Sequence, residues 1–310
     1  MKVNSIQSKG PNQEEDDEKS LLSLPKVRGW RTPHLYFFQN FWCQPKEIQA
    51  IISCQTHFQA RDSDVIVATI PKSGTTWLKA LTFGATNRTD TQPLLTSNPH
   101  DLVPFLEYSI YANNNLPQLS DLPSPRLFAT HVPFSALPES IKNSGCRVVY
   151  LCRNPLDTFV SSWHFINKSR PQVQGGLSIE EAFDMYCRGL VGFGPHWDHM
   201  LGYWKESRER PEKVLFLQYE DMKEKAGFYL RRLAEFLGRP FSADEEREGV
   251  ELEVNKTGRA IPGFENASLF RKGEVGDWAN HLTPPMVERL TKIMEEKLEG
   301  SGLTFKVFGK

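Results

Sequence analysis

Between Asp64 and Phe83 the chain reads DVIVATIPKSGTTWLKALTF: an apolar strand running into a helix, with a tight joint around Pro71-Lys72-Ser73-Gly74. A strand that is apolar on both faces has to be covered on both sides. That is the environment of a parallel sheet, not of a half-solvated antiparallel one. The pattern recurs downstream. RLFATHVP, CRVVYLCR and KVLFLQYE read as three further strands, and DTFVSSWHFIN, IEEAFDMYCRGL, PHWDHMLGYWKESRE and DMKEKAGFYLRRLAEFL as helices. Strand and helix in alternation predict an α/β fold, a central and mostly parallel sheet flanked by helices on both faces.

Other stretches fit around this frame. Residues 1–20 read as an acidic, disordered lead-in with no apolar core for a signal peptide, and 21–310 as a single domain without repeat or linker. GWRTPHLYFFQNFW is aromatic enough to line a pocket, although capping a core is the stronger reading. PKEIQAIISCQTHF has helical spacing. GRAIPGFENASLFRKGEVGDW reads as a long surface loop, and PPMVERLTKIMEEKLEG as a closing helix with prolines at its start.

Composition excludes more than it indicates. The 37 Lys and Arg against 38 Asp and Glu leave no bulk charge for nucleic acid or an anionic membrane, so any anion must be held by local placement of cations. No apolar run is long enough to span a bilayer. The five cysteines (Cys43, Cys54, Cys146, Cys152, Cys187) lack paired spacing, and free buried thiols are expected of a reduced, cytoplasmic chain. Four Asn-x-Ser/Thr matches, at Asn87, Asn167, Asn255 and Asn266, are then coincidental.

The chemistry gathers where the strands end. The first strand delivers Lys72, Ser73, Gly74, Thr75 and Thr76. The second carries His131 near its end, the third ends at Arg153 and the fourth at Tyr219. In open α/β sheets, ligands bind beyond the carboxyl ends of the strands. Thr75 and Thr76 fall in the first turn of a helix, where unpaired backbone N–H groups and the dipole favour anions, and Gly74 allows close approach. The order is nevertheless wrong for an ATP loop: G-x-x-x-x-G-K-[ST] needs an upstream glycine and a lysine after the second one, whereas Lys72 precedes Gly74. His131 has no His, Cys or acidic neighbour at metal-ligand spacing, so no metal is expected. A neutral imidazole there can take a proton from a hydroxyl. Arg153 offers a forked donor for a phosphate, with Ser161 on the next helix adding a hydroxyl. Its plainer reading is an ion pair with Asp157, which is also placed to cap that helix. Arg271-Lys272-Gly273 adds two cations on a pliable backbone.

Taken together, PKSGTTWLKAL, THVPFSALPES, CRNPLDTFVSSWHF, GPHWDHMLGYW, KVLFLQYEDMK, LFRKGEVGDW and EEKLEGSGLTF make the chain, from Gly29 onward, resemble the cytosolic sulfotransferases, most closely the plant soluble branch. The resemblance implies a fold related to nucleotide kinases, working without a metal. It implies 3′-phosphoadenosine 5′-phosphosulfate (PAPS) as donor and a small hydroxylated acceptor. By position, Lys72 would meet the bridging oxygen, Ser73 to Thr76 would wrap the 5′-phosphosulfate, and Trp77 would stack on adenine. Arg153, Ser161, Arg271, Lys272 and Gly273 would hold the 3′-phosphate, Tyr219 would lie against the adenine, and His131 would be the base. Tyr36, Phe37, Phe38, Trp42, Phe134 and Phe193 are the expected aromatic walls for the acceptor. A flavonoid or other phenolic is favoured; a brassinosteroid, hydroxyjasmonate or desulfoglucosinolate is possible.

Two departures from the family pattern stand out. Family members carry about fifteen more residues between Val250 and Glu251, next to the adenine. A chain lacking them could bind PAPS or its product PAP with weakened or lost turnover. Where vertebrate relatives have a Lys-x-x-x-Thr-Val-x-x-x-Glu dimer motif, this chain has ANHLTPPMVE, with Ala279 and Pro284 in place of the lysine and valine, so a monomer is expected.

Overall fold

A computed structural model describes residues 23–90, 92–169, 175–242 and 273–306. Four parallel strands, β4 (Val65–Thr69), β5 (Leu127–Thr130), β6 (Arg147–Cys152) and β7 (Val214–Gln218), form one sheet in the order β5-β4-β6-β7. Their side chains divide between two cores with the two-residue period of a strand. Ile66, Ala68, Val148 and Tyr150 enter one core, while Val65, Val67, Val149 and Leu151 enter the other. Both faces are thus covered, as the unbroken apolar runs required.

Eight helices matter to the site: α1 (Pro45–His57), α2 (Thr75–Thr86), α3 (Pro155–Ser169), α4 (Ile179–Cys187), α5 (His196–Glu209), α6 (Tyr219–Glu224), α7 (Ala226–Phe236) and α8 (Pro284–Leu298). The stretch expected as a single helix from Asp221 onward is two, broken where Lys225 leaves helical geometry at φ −132°, ψ 54°. The aromatic stretch before α1 folds as a three-stranded antiparallel sheet, β1 (Lys26–Arg28), β2 (His34–Phe38) and β3 (Phe41–Cys43). Trp30, Leu35, Phe41 and Cys43 are buried, so capping the core is its main role. All five cysteines are free and buried.

Register fixes what meets at the carboxyl edge of the large sheet. Ala68 lies opposite Thr130, and Cys152 opposite Gln218. The next residues, Thr69 beside His131 and Arg153 beside Tyr219, therefore emerge side by side. The opposite edge is held by a buried ion pair, Asp64 to Arg126, in which the Arg126 Nε donates to Asp64 Oδ1 at 2.8 Å and a second nitrogen donates to Oδ2. Removing one member of a buried pair leaves the other charge desolvated, which costs roughly 3–5 kcal/mol. Asp64→Ala is expected to lower unfolding stability by about that amount, read as a fall in the urea midpoint.

Candidate active site

Two residues at the joint between β4 and α2 have left-handed backbones. Gly74, at φ +103°, caps α2. A Cβ there would lie 2.8 Å from the Tyr219 ring and 3.1 Å from Leu151, so only glycine fits. Lys72 adopts φ +70°, a conformation that a non-glycine residue holds only against strain. Its ammonium lies 4.1 Å from the Phe165 ring centroid. Ser73, Thr75 and Thr76 are buried beneath the cradle, and Ser73 Oγ has no hydrogen-bond partner among the described residues. Trp77 is buried, edge-on to Tyr219 at 5.5 Å, and its Nε1 also lacks a described partner.

His131 sits directly above this turn. Its Nδ1 is 2.7 Å from the Thr69 carbonyl oxygen and 3.2 Å from the Thr69 hydroxyl. A carbonyl only accepts, so the proton is on Nδ1 and Nε2 carries the free lone pair. The Thr69 hydroxyl is in turn 2.7 Å from that of Thr75, in the first turn of α2. Burial, countered in part by the Thr69 carbonyl, pushes the imidazole pKa down to about 3, with the charge of Lys79 adding to the shift. The ring is boxed by Phe105 at 4.6 Å, Phe193 at 5.6 Å and Tyr108 at 5.9 Å. Its backbone is held as firmly: His131 N donates to Glu107, and His131 O accepts from His199 Nε2 at 2.9 Å.

On the far side of β4, Arg153 and Tyr219 stack with 4.7 Å from guanidinium to ring centroid. Arg153 donates to the Glu274 carbonyl at 2.7 Å and lies 3.5 Å from Asp157. Asp157 accepts the backbone N–H groups of Gly276 and Trp278, and the Tyr219 hydroxyl donates to the Gly273 carbonyl. Both sequence readings of Asp157 reduce to one role: it ties the returning segment 273–278 down beside Arg153. Ser161 is buried two turns along α3, and Arg153 Nε has no described partner. Arg271, Lys272 and the junction at Val250 and Glu251 lie outside the described residues.

A small cavity of about 100 Å³ opens between the cradle and the aromatic box, lined among others by Trp30, Leu35, Lys72, Tyr108, Phe165 and Phe193. Of the six aromatic residues expected to wall the acceptor, only Phe193 lines it. Phe134 packs on Tyr203, and Phe37 packs on Trp42. Tyr36, Phe38 and Trp42 lie against the main core. Trp42 still matters through its backbone. Its carbonyl accepts from Phe193 N, and its N–H donates to the Gly194 carbonyl, so β3 holds Phe193 at φ +63° with its ring toward His131.

The segment Asn98–Ile110 supplies residues that the sequence did not reveal: His100, Phe105, Glu107 and Tyr108. It runs alongside β5, with Ala129 N donating to the Pro104 carbonyl, and ends in a single π-helical turn, Leu106–Ile110. A carboxylate within LVPFLEYSIY was the available signal, since an acid amid apolar residues is buried for a reason. Burial raises the Glu107 pKa to about 7. Among the described residues there is no group of three or more potential metal ligands.

The sheet order, the carboxyl-edge crevice and the glycine-capped turn between β4 and α2 define a P-loop-like α/β domain. A sulfotransferase domain model matches residues 62–302. Cytosolic sulfotransferase 15 of Arabidopsis thaliana is 55% identical over 325 residues, covering 96% of this chain and 90% of that protein. The crystal structure of an Arabidopsis thaliana protein described as a steroid sulphotransferase candidate matches with a TM-score of 0.77 at 40% identity, over 98% of this chain and 100% of that one. A retinol dehydratase solved with androsterone and the inactive cofactor PAP shares the fold, with a TM-score of 0.73 at 20% identity over 96% of both chains. The chain belongs to the sulfotransferase family. It is a sulfotransferase enzyme, and the curated relatives that it matches are cytosolic sulfotransferases of a plant. The alignment to cytosolic sulfotransferase 15 is longer than this 310-residue chain, so that relative carries residues this chain lacks.

His131, His196 and His199 are buried with pKa values pushed by desolvation to about 3, 3 and 4. The unfolded chain binds these protons near pH 6.5 and the folded one does not. Stability from these groups is therefore complete above pH 6.5 and falls as pH drops below it, by about 1.4 kcal/mol per pH unit for each histidine. Urea midpoints measured from pH 7 to pH 5 are expected to fall steeply, and replacing the fully buried His196 by an apolar residue should make the slope shallower.

Proposed function

We propose that the chain transfers the sulfuryl group of PAPS to a hydroxyl of a small acceptor, with His131 as general base and Lys72 stabilising the leaving phosphate. The observation that carries this reading is the 2.7 Å contact from His131 Nδ1 to the Thr69 carbonyl, which leaves Nε2 bare beside the anion cradle. The donor supplies an activated sulfuryl group on its 5′-phosphate. Lys72 and the N–H groups at the start of α2 bear the charge that grows on that phosphate. His131 Nε2 takes the acceptor hydroxyl proton as the new O–S bond forms and the bond from sulfur to the bridging oxygen breaks; PAP leaves. In-line transfer asks the protein for positioning and charge stabilisation more than for covalent chemistry.

The residues present fit the donor. Ser73 Oγ, Trp77 Nε1 and Arg153 Nε are buried donors with no described partner, which is the state of a site awaiting acceptors such as phosphate oxygens. Ser73, Gly74, Thr75 and Thr76 would wrap the 5′-phosphosulfate, and Trp77 and Tyr219 would flank the adenine. Arg153, Ser161 and Gly273, with Arg271 and Lys272, would take the 3′-phosphate. Support for the donor class is that a retinol dehydratase of the same fold was solved with the inactive cofactor PAP. The aromatic walls at Trp30, Tyr108, Phe165 and Phe193 suit a flat phenolic such as a flavonoid first and a steroid-like alcohol second. We place the enzyme in the cytoplasm as a monomer. The named relatives are cytosolic, no described helix could cross a membrane, and Ala279 and Pro284 replace the dimer residues.

The residues that this chain lacks inside its alignment to cytosolic sulfotransferase 15 favour a second reading, a PAP-binding relative with reduced turnover. Calorimetry with PAP alongside labelled-sulfate transfer over a panel of phenolics and steroids separates the two: binding without transfer selects the second. Under the first, His131→Ala and Lys72→Ala are each expected to lower turnover by at least about a hundredfold with unchanged circular dichroism. Near-normal turnover in either would overturn the mechanism.

A further inference from the structure

One turn into the cradle helix, Lys79 is fully buried, and nothing in the roles assigned above uses it. Its ammonium sits 3.3 Å from the Phe105 ring centroid and 2.9 Å from His100 Nδ1. His100 stacks on the same ring at 5.4 Å and is fixed by Asn98, whose side chain accepts from His100 N. The other imidazole nitrogen, Nε2, is 3.1 Å from the Thr76 hydroxyl oxygen. Lys79, His100 and Thr76 thus form a single hydrogen-bonded file that ends in the cradle.

The file has a direction. Burial pushes the Lys79 pKa down to about 6; the charges of Glu107 and Asp101 work against that, and the Phe105 face 3.3 Å away favours the cation further. As a cation it has no lone pair and only donates. Burial, with the charges of Lys79 and Lys72, pushes the His100 pKa down to about 3, so its ring carries one proton. With Nδ1 accepting from Lys79, that proton is on Nε2 and is donated to Thr76 Oγ1. The Thr76 hydroxyl hydrogen is then turned away from His100. Among the described residues no other group receives it, and it is left for an anion in the cradle.

Thr76 follows Gly74 by two residues, the place that the hydroxyl residue holds in G-K-[ST]. In that loop the hydroxyl oxygen faces Mg²⁺ with its lone pair. Here a histidine N–H occupies a lone pair on the same oxygen. We propose that Lys79 and His100 are positioning residues that set the polarity of the Thr76 hydroxyl, making it a donor to the 5′-phosphosulfate where an NTP loop has a metal ligand. Lys79 acts only through His100. The proposal rests on the donor assignment made under the proposed function.

The test uses the full chain, with PAP as the binding probe. In wild type, ¹⁵N-histidine NMR should find the His100 proton on Nε2, and in Lys79→Met on Nδ1. His100→Leu and Lys79→Met are each expected to weaken PAP binding and raise the KM for PAPS roughly tenfold, with kcat changed little, because a contact made equally before and during transfer is lost. His100→Gln, which can present an N–H at the position of Nε2, should restore affinity to within about threefold. A role confined to packing would lower kcat along with stability and would not be rescued by glutamine. Wild-type protonation at Nδ1, or unaltered PAP affinity in a folded His100→Leu protein, overturns the polarity proposal alone. Failure of wild type to bind PAP overturns the donor assignment and this proposal with it.

Discussion

The site depends on Thr69, the last residue of the central strand. Its carbonyl takes the Nδ1 proton of His131, and its hydroxyl contacts Thr75 at the start of α2. One residue therefore orients both the His131 ring and the first turn of α2. The parallel register makes this possible, because β5 ends level with β4 and delivers His131 to the neighbouring position. A small shift of β5 along β4 would cost the tautomer and the placement of Nε2 together, so the chemistry is as rigid as the sheet beneath it.

A second arrangement, built on the same principle, serves the other half of the crevice. Gly74 admits the Tyr219 ring, Tyr219 supports Arg153, and Asp157 holds the backbone of Gly276 and Trp278. Each contact joins a strand end to a segment far along the chain. The left-handed backbones at Lys72 and Phe193 belong to this economy of parts, since both are held in costly geometry by surroundings that also form the site.

Much of this was legible in the sequence, for physical reasons. Unbroken apolar runs reported the parallel sheet because burial on both faces leaves no room for alternation, and the strand ends reported the crevice. That Lys72, His131, Arg153 and Tyr219 lie at the carboxyl edge could be read because a strand end is a place of known orientation. What was missed lay where side-chain direction does not follow from local period. The acceptor walls were sought in the aromatic stretch near Tyr36 and Phe37, yet most of those rings face the core. Their nearest service is the backbone grip of Trp42 on Phe193. His100, Phe105, Glu107 and Tyr108 sit in a segment of one-turn helices whose pattern is too short to report a face; the turn Leu106–Ile110 brings Glu107 and Tyr108 onto His131, and Phe105 meets it from just before that turn.

The strand order has a consequence for how the chain is made. β4 lies inside the sheet but is the first of its four strands to be synthesised; β5 and β6, which cover its two edges, follow some sixty and eighty residues later. Until then VIVAT is an apolar segment with both edges open, the kind that pairs with whatever strand is nearest. During synthesis that segment therefore stays exposed to mispairing until β5 and β6 close its two edges.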